Sequence, residues 1–140
     1  MSFNTSKLDP VYSRIFSVDF GHESLNELCY KITGKYFYFN INEYEGKVIP
    51  LSTLDKLIEK EKILNVIIEL FSKTGEKIST IYFEDVLLLK IKGLNLDWGS
   101  DDIIKIRVKY KKVNMRIFDN DRELKNYQRK QKLQRINKTI

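Results

Sequence analysis

The chain holds one histidine, His22, and one cysteine, Cys29. A thiol becomes a nucleophile when a neighbouring base or positive charge stabilises its thiolate, so these two define the only thiol–imidazole pair the chain could form. Six residues separate them across the polar run Gly21-His22-Glu23-Ser24, which reads as a turn. Cys29 lies among apolar residues on an expected strand, where cysteine usually serves as a small hydrophobe. A zinc site needs further Cys or His ligands, and the sequence has none to offer. Asp97, Asp101 and Asp102 form an acidic turn that could face a cation. Aspartates also favour turns by hydrogen bonding to their own backbone, and a calcium loop needs more oxygen ligands at regular offsets. The six glycines are scattered, with no phosphate-cradling or dinucleotide pattern. The expectation is therefore a protein that is not an enzyme, with no catalytic residue, no metal and no cofactor.

Positive charge is the other chemistry on offer. Lys105, Arg107, Lys109 and Lys111 alternate with Ile104, Ile106, Val108 and Tyr110. On a strand this puts the bases on one face and the apolar side chains on the other. Such a basic face is a solvated or edge-guarding surface in one reading, and a contact for phosphate or an acidic partner in the other. A second basic group, Lys125, Arg129, Lys130, Lys132, Arg135 and Lys138, lies in residues 124–140, which contain no acid. The chain carries 25 Lys+Arg, 19 Asp+Glu and a net charge of +6. Removing those six bases leaves 19 against 19, so the body is formally neutral and the tail holds the excess. One aromatic in the tail, Tyr127, offers little base stacking, so sequence-specific nucleic-acid reading is not expected there.

These groups need elements to position them. Residues 1–10 read as an arm. Val11–Phe20 alternates as a strand, with Phe16, Val18 and Phe20 on one face. Leu25–Thr33 reads as a second strand, and Tyr36-Phe37-Tyr38-Phe39 as a third, aromatic on both faces and so buried or pressed against a neighbour. Ser52-Thr53-Leu54-Asp55 resembles a helix start, with Leu54, Leu57 and Ile58 at helical spacing and an end near Glu61. Ile63–Phe71 and Glu76–Phe83 read as strands joined by a turn at Ser72-Lys73-Thr74-Gly75. Val86–Ile91 is a further strand. Residues 93–110 read as a strand, a tight turn holding Trp98, and the last strand. From Asp119 the composition turns helical, with Asn120 able to cap and Glu123 three residues later. The broken stripe Leu124, Tyr127, Leu133 and Ile136 predicts a helix that is exposed or ordered on a partner.

The fold class expected is mainly β: an antiparallel β-sandwich or barrel with one short internal helix and a basic C-terminal helix. The division expected is a β-domain over residues 1–118 with an N-terminal arm, and a basic helical extension over 119–140. At 140 residues the chain is one domain's length and needs no disulfide to fold. No apolar run approaches a membrane span and residues 1–12 lack a signal-peptide core, so no membrane partner is expected. The sequence has no alanine and is rich in Lys, Ile, Asn, Tyr and Phe. AT-rich coding explains part of the lysine content, which weakens any step from pI to nucleic acid.

Leu96-Asp97-Trp98 with Ser100, an acid and an isoleucine resembles the last hairpin of the tail tube proteins of contractile-tailed bacteriophages. Ile15-Phe16-Ser17-Val18 resembles their early strand, and Ser52–Glu61 followed by Ile63–Phe83 their helix and long hairpin. The resemblance covers roughly residues 13–112. It implies a small β-sandwich whose copies close into rings, six to a ring, with inner strands joined in one barrel. Stacked rings would form a tube inside a sheath, a conduit for DNA ejection in a virion tail assembled in the host cytoplasm. The implied partners are the chain itself, sheath, baseplate and tape-measure proteins, and passing DNA. The implied interface residues are Tyr36, Phe37, Tyr38, Phe39, Leu96, Asp97 and Trp98. Partner or nucleic-acid contacts fall to Lys105, Arg107, Lys109, Lys125, Arg129, Lys130, Lys132 and Arg135. Trp98 is expected as a buried anchor or, failing that, on the ring surface. The basic face departs from the family, whose lumens are acidic or neutral, and points to a tube-like baseplate or neck protein or to a face turned elsewhere. A small nucleic-acid-binding β-domain with a basic arm is the alternative reading.

Overall fold

The computed structural model describes residues 11, 12 and 14–138; the expected arm at residues 1–10 lies outside them. The elements are β1 (Phe16–Asp19), α1 (Glu23–Asn26), β2 (Cys29–Ile32), β3 (Tyr36–Asn40), β4 (Asn42–Tyr44) and β5 (Lys47–Ile49). They continue with α2 (Leu51–Glu59), β6 (Ile63–Phe71), β7 (Lys77–Lys92), β8 (Lys105–Lys111), β9 (Asn114–Phe118) and α3 (Asp121–Lys138). One sheet runs β1-β6-β7-β8-β3-β2, with β9 also on β7, and β4-β5 form a separate pair. This is the mainly β architecture with helical additions that the alternation predicts. The chain divides into two compact units: residues up to 17, 68–81 and from 117 on, and residues 18–67 with 82–116.

The second unit holds the larger core. Phe37 and Phe39 are fully buried, with Phe20, Leu25, Leu54, Val66, Val86 and Val108. Phe37 stacks on Tyr110 at 4.1 Å and meets Phe20 edge-on at 4.9 Å. Offset and edge-on contacts are the favoured aromatic geometries. The Tyr110 hydroxyl donates to the Thr33 carbonyl at 2.7 Å, so the phenol reaches a partner without leaving the core. Burial pushes that phenol up to about 12. Helix α2 buries Leu54 and Leu57. Its N-cap is Pro50, with no side-chain capping bond, and Ser52 lies inside the first turn, which corrects the expected Ser/Thr start.

Strand β7 corrects another expectation. Its 16 residues form one strand, where the sequence suggests two. Asp85 interrupts it with φ of 50°, and its N–H donates to Asn65 Oδ1 at 3.3 Å. A left-handed residue within a strand is the mark of a bulge. Just before it, Tyr82, Phe83 and Glu84 are buried in succession instead of alternating. Leu25–Leu28 is not strand. Leu25 N–H and Asn26 N–H donate to the His22 carbonyl and turn the chain into α1. Residues 93–104 are also not strand up to their turn. Gly93 at φ +78° leads the chain out of β7, and Leu94 and Leu96 are exposed.

In the first unit the 72–76 turn is as expected, with Gly75 at φ +88° and Ser72 N–H bonded to the Glu76 carbonyl at 2.8 Å. Lys77 pairs with Glu69 at 2.9 Å and with Asp121 in the first turn of α3. Asn120 caps α3 through the Glu123 N–H at 2.9 Å, while the Glu123 carboxylate accepts from the Asp119 N–H. Leu124 is buried and Tyr127 meets Phe118 at 5.4 Å, so the helix is docked at its start. Strand β9, not foreseen in the sequence, supplies Phe118 and the Phe118 carbonyl that accepts from Ser79 Oγ.

Candidate functional site

Alternation on β8 creates the candidate surface. Ile106, Val108 and Tyr110 are buried, and Lys105, Arg107, Lys109 and Lys111 stand on the opposite side, as the spacing predicts. Register extends the split. Tyr36 faces Lys109, Tyr38 faces Arg107 and Asn40 faces Lys105. Lys90 faces Lys109 and Lys92 faces Arg107. Directly opposed residues project from the same face of a sheet, so β7, β8 and β3 share one basic, tyrosine-bearing surface.

The cations lie on the rings. Lys31 Nζ is 4.9 Å from the Tyr38 centroid, Lys105 Nζ 5.1 Å from Tyr30, and Arg107 Cζ 5.2 Å from Tyr36. Tyr38 also meets Tyr30 and Tyr36, each at 6.1 Å. Cation–π attraction holds the long basic side chains against the sheet at about 0.5–1 kcal/mol for each exposed pair. Desolvation pushes the Tyr36 phenol up, but Lys92, a hydrogen bond from Arg107 and the Arg107 and Lys109 charges outweigh it, leaving the phenol below its ordinary value. Arg107 Nε and Asn40 Oδ1 are buried without hydrogen-bond partners. The guanidinium leans on the backbone at Gly93, where a Cβ would stand 3.1 Å from Nη1.

Two expected interface residues belong elsewhere. Phe37 and Phe39 point into the core at 0% exposure, because alternation on β3 leaves only Tyr36 and Tyr38 on the open face. Trp98 is 103% exposed, which corrects the buried-anchor reading. It sits with Leu96 and Asp97 on the loop between β7 and β8, shaped by Ser100 N–H to the Asp97 carbonyl and Asp102 N–H to Ser100 Oγ, both 3.2 Å. The loop curls around a groove of about 1200 Å³ walled by residues 93 and 95–105. In α3, Lys125, Arg129, Lys130 and Lys132 are exposed, and the Arg135 side chain lies outside the described residues. Sequence reasoning missed Tyr30, Lys31, Lys90 and Lys92. The Lys90-Ile91-Lys92 alternation was the available signal, hidden because β7 looked like two strands.

The thiol is inert. Burial pushes Cys29 up to about 12, against the weaker lowering by backbone hydrogen bonds at Lys31 and Tyr38. A thiolate is the reactive form, and at neutral pH this thiol stays protonated. Among the described residues no His, Cys, Asp and Glu side chains group to hold a metal, and no helix is long and apolar enough to cross a membrane.

No protein-family model matches the chain, and no curated protein matches it. Solved structures do. Over 85% of this chain and 100% of the other, at 14% identity and a TM-score of 0.65, it resembles a chain of the PVC sheath–tube complex, an extracellular contractile injection system in its extended state. It resembles a chain of the anti-feeding prophage cap, which terminates the tube, with a TM-score of 0.63 at 12% identity, over 80% and 93% of the two chains. A chain of the anti-feeding prophage baseplate gives 0.57 at 15% identity, over 79% and 96%. This chain thus has the fold of the tube-type proteins of contractile tails and injection systems.

Proposed function

We propose that this chain is a structural, non-enzymatic ring subunit of a contractile tail or injection apparatus. The observation that carries the reading is the sheet edge. Strand β6 has 9 residues and β7 has 16, and they are joined by a tight turn. The last 16 − 9 = 7 residues of β7, past the Asp85 bulge, therefore extend beyond β6. That leaves a four-stranded segment, β7-β8-β3-β2, with β2 at one edge and the end of β7 at the other. Open edges invite pairing with another chain. If the β2 edge of one copy meets the β7 edge of the next, the contact is head-to-tail, and head-to-tail contacts close into rings. Six copies follow from the family resemblance.

In such a ring the core-bearing face points outward and the basic tyrosine face lines the conduit. A basic lining would grip DNA by counterion release. DNA ejection through a long tube fits this lining poorly, and a short baseplate, neck or cap ring fits it better. Sheath, baseplate and tape-measure proteins remain the proposed partners. Negative-stain electron microscopy across a concentration series tests the reading: rings or tubes of uniform width are expected, and monomers at every concentration, with and without tail partners, would overturn it.

The basic face also supports the second reading, a nucleic-acid-binding β-domain. That reading expects the salt slope of DNA binding to fall on Lys105→Gln, Arg107→Gln and Lys109→Gln, and separately on neutralising Lys125, Arg129, Lys130 and Lys132. Unchanged slopes in both sets would remove it.

A further inference from the structure

Two successive rungs of the β7–β8 pair set cation against cation. Lys90 is opposite Lys109, and Lys92 is opposite Arg107. Like charges directly opposed across two strands destabilise a sheet, where opposite charges would support it. Lys92, Arg107 and Lys109 are half-buried, so salt and water screen them less than free surface lysines. No acid of the sheet answers them. Residues 29–40, 86–96 and 103–118 contain no acid. Glu84 and Asp85 lie further back on β7, where Glu84 pairs with Arg116. Asp97, Asp101 and Asp102 are exposed on the loop between β7 and β8, and among the described residues none of the three is ion-paired. Tyr36, opposite Lys109, borders the same spot. Desolvation would raise its phenol, yet Lys92, Arg107 and Lys109 together hold it below its ordinary value. Those three charges therefore converge on one hydroxyl.

We propose that Lys90, Lys92, Arg107 and Lys109, with the Tyr36 hydroxyl, form a site for one phosphate group on the open face of β7 and β8. Neighbouring strands stand about 4.8 Å apart and successive rungs about 6.8 Å apart. The four cations thus frame a patch that a single tetrahedral oxyanion can bridge. Arg107 is held in place, with Cζ 5.2 Å from the Tyr36 centroid and Nη1 against the backbone at Gly93. A fixed guanidinium fork suits an oxyanion, and the lysines add point charge. Phosphate oxygens point in three dimensions and reach both rungs, whereas a carboxylate offers two oxygens in one plane. Free phosphate or a monoester can supply the group, and so can the backbone of a nucleic-acid strand. The rings of Tyr30, Tyr36 and Tyr38 each carry a cation on one face. A strand would therefore be held by its phosphates and not by base stacking. The site is complete within one copy of the chain and does not rest on the ring reading.

Thermal unfolding and calorimetric titration with inorganic phosphate test the site, against chloride at equal ionic strength. Phosphate should raise the Tm of the wild type. Lys90→Gln with Lys92→Gln should be at least as stable as the wild type without phosphate, because both like-charge rungs are gone. The same variant should bind phosphate at least tenfold more weakly. Lys125→Gln with Lys130→Gln removes as much charge from α3 and should keep the wild-type response. Phosphate also stabilises proteins by exclusion from their surface, and that effect would be equal in all three. An equal gain in Tm in all three, no calorimetric binding to the wild type, or undiminished affinity in the Lys90/Lys92 variant would overturn the proposal. Oligothymidylate then separates the sources. Binding that inorganic phosphate displaces and the Lys90/Lys92 variant loses assigns the site to a strand backbone. Phosphate binding without oligothymidylate binding assigns it to the free ion or a monoester, and is a failure of the nucleic-acid reading alone. Neither arm needs rings, so their absence leaves the test intact.

Discussion

Trp98 and Phe37 show how little residue type alone says about role. Both are large aromatics, and the sequence offered both as interface residues. Phe37 fills the core at 0% exposure, and Trp98 stands free. Phe37→Ala should cost about 3–5 kcal/mol in denaturant unfolding, whereas Trp98→Ala should leave monomer stability within about 0.5 kcal/mol. A loss of more than 2 kcal/mol at Trp98 would contradict its placement. Tyr110 makes a pH-dependent contribution. Its folded value of about 12 is above the ordinary 10.0, so its stabilisation is full below pH 10 and fades as pH rises toward 12. Stability measured from pH 9 to 12 should fall, and Tyr110→Phe should lessen that fall while costing about 1–2 kcal/mol at neutral pH through the bond lost to Thr33. The β8 alternation was legible because each step of two residues repeats the same chemistry. The partition of the 36–39 run was not, because aromatic residues on both faces conceal which face has the core.

Elements were legible where local chemistry was strong and illegible where the backbone departed from it. The β6–β7 hairpin and the Asn120 cap both rest on short-range signals, and both are present. Asn120→Ala should cost about 1 kcal/mol by removing the bond to the Glu123 N–H, measurable as a drop in Tm. Bulges leave a weaker imprint. Nothing in Glu84-Asp85 announces φ of 50° in mid-strand, so β7 was read as two pieces. Gly93 is the other such position. Gly93→Ala forces an L side chain to φ +78° and crowds Arg107, so a loss of about 1 kcal/mol is expected. A neutral result would mean that the loop relaxes freely. Lys77 works at the same scale. The hydrogen bonds that Lys77 donates to Asp121 and Glu69 raise its value above 10.5, so the tie between the hairpin and α3 holds below that pH and loosens above it. The helix signal of Lys77→Met should be diminished at neutral pH if this tie matters.

At the scale of the molecule, the fold class was readable because strands outnumbered helices and turns punctuated them regularly. The path of the sheet was not, since nothing in the sequence announces the Asp85 bulge past which β7 outruns β6. The stretch 93–110, expected as a strand, a tight turn and a last strand, is instead a loop leading into β8, with its tryptophan on the outside. That exposure has a practical consequence. The chain has one tryptophan, so its fluorescence, excited at the red edge where tyrosine is dark, reports a single point on a single loop. In the free chain that indole sees only water and emits at the solvent-relaxed limit. Any surface that covers it shifts the emission to the blue and shields it from a soluble quencher. Any association that covers the loop can therefore be timed without a label.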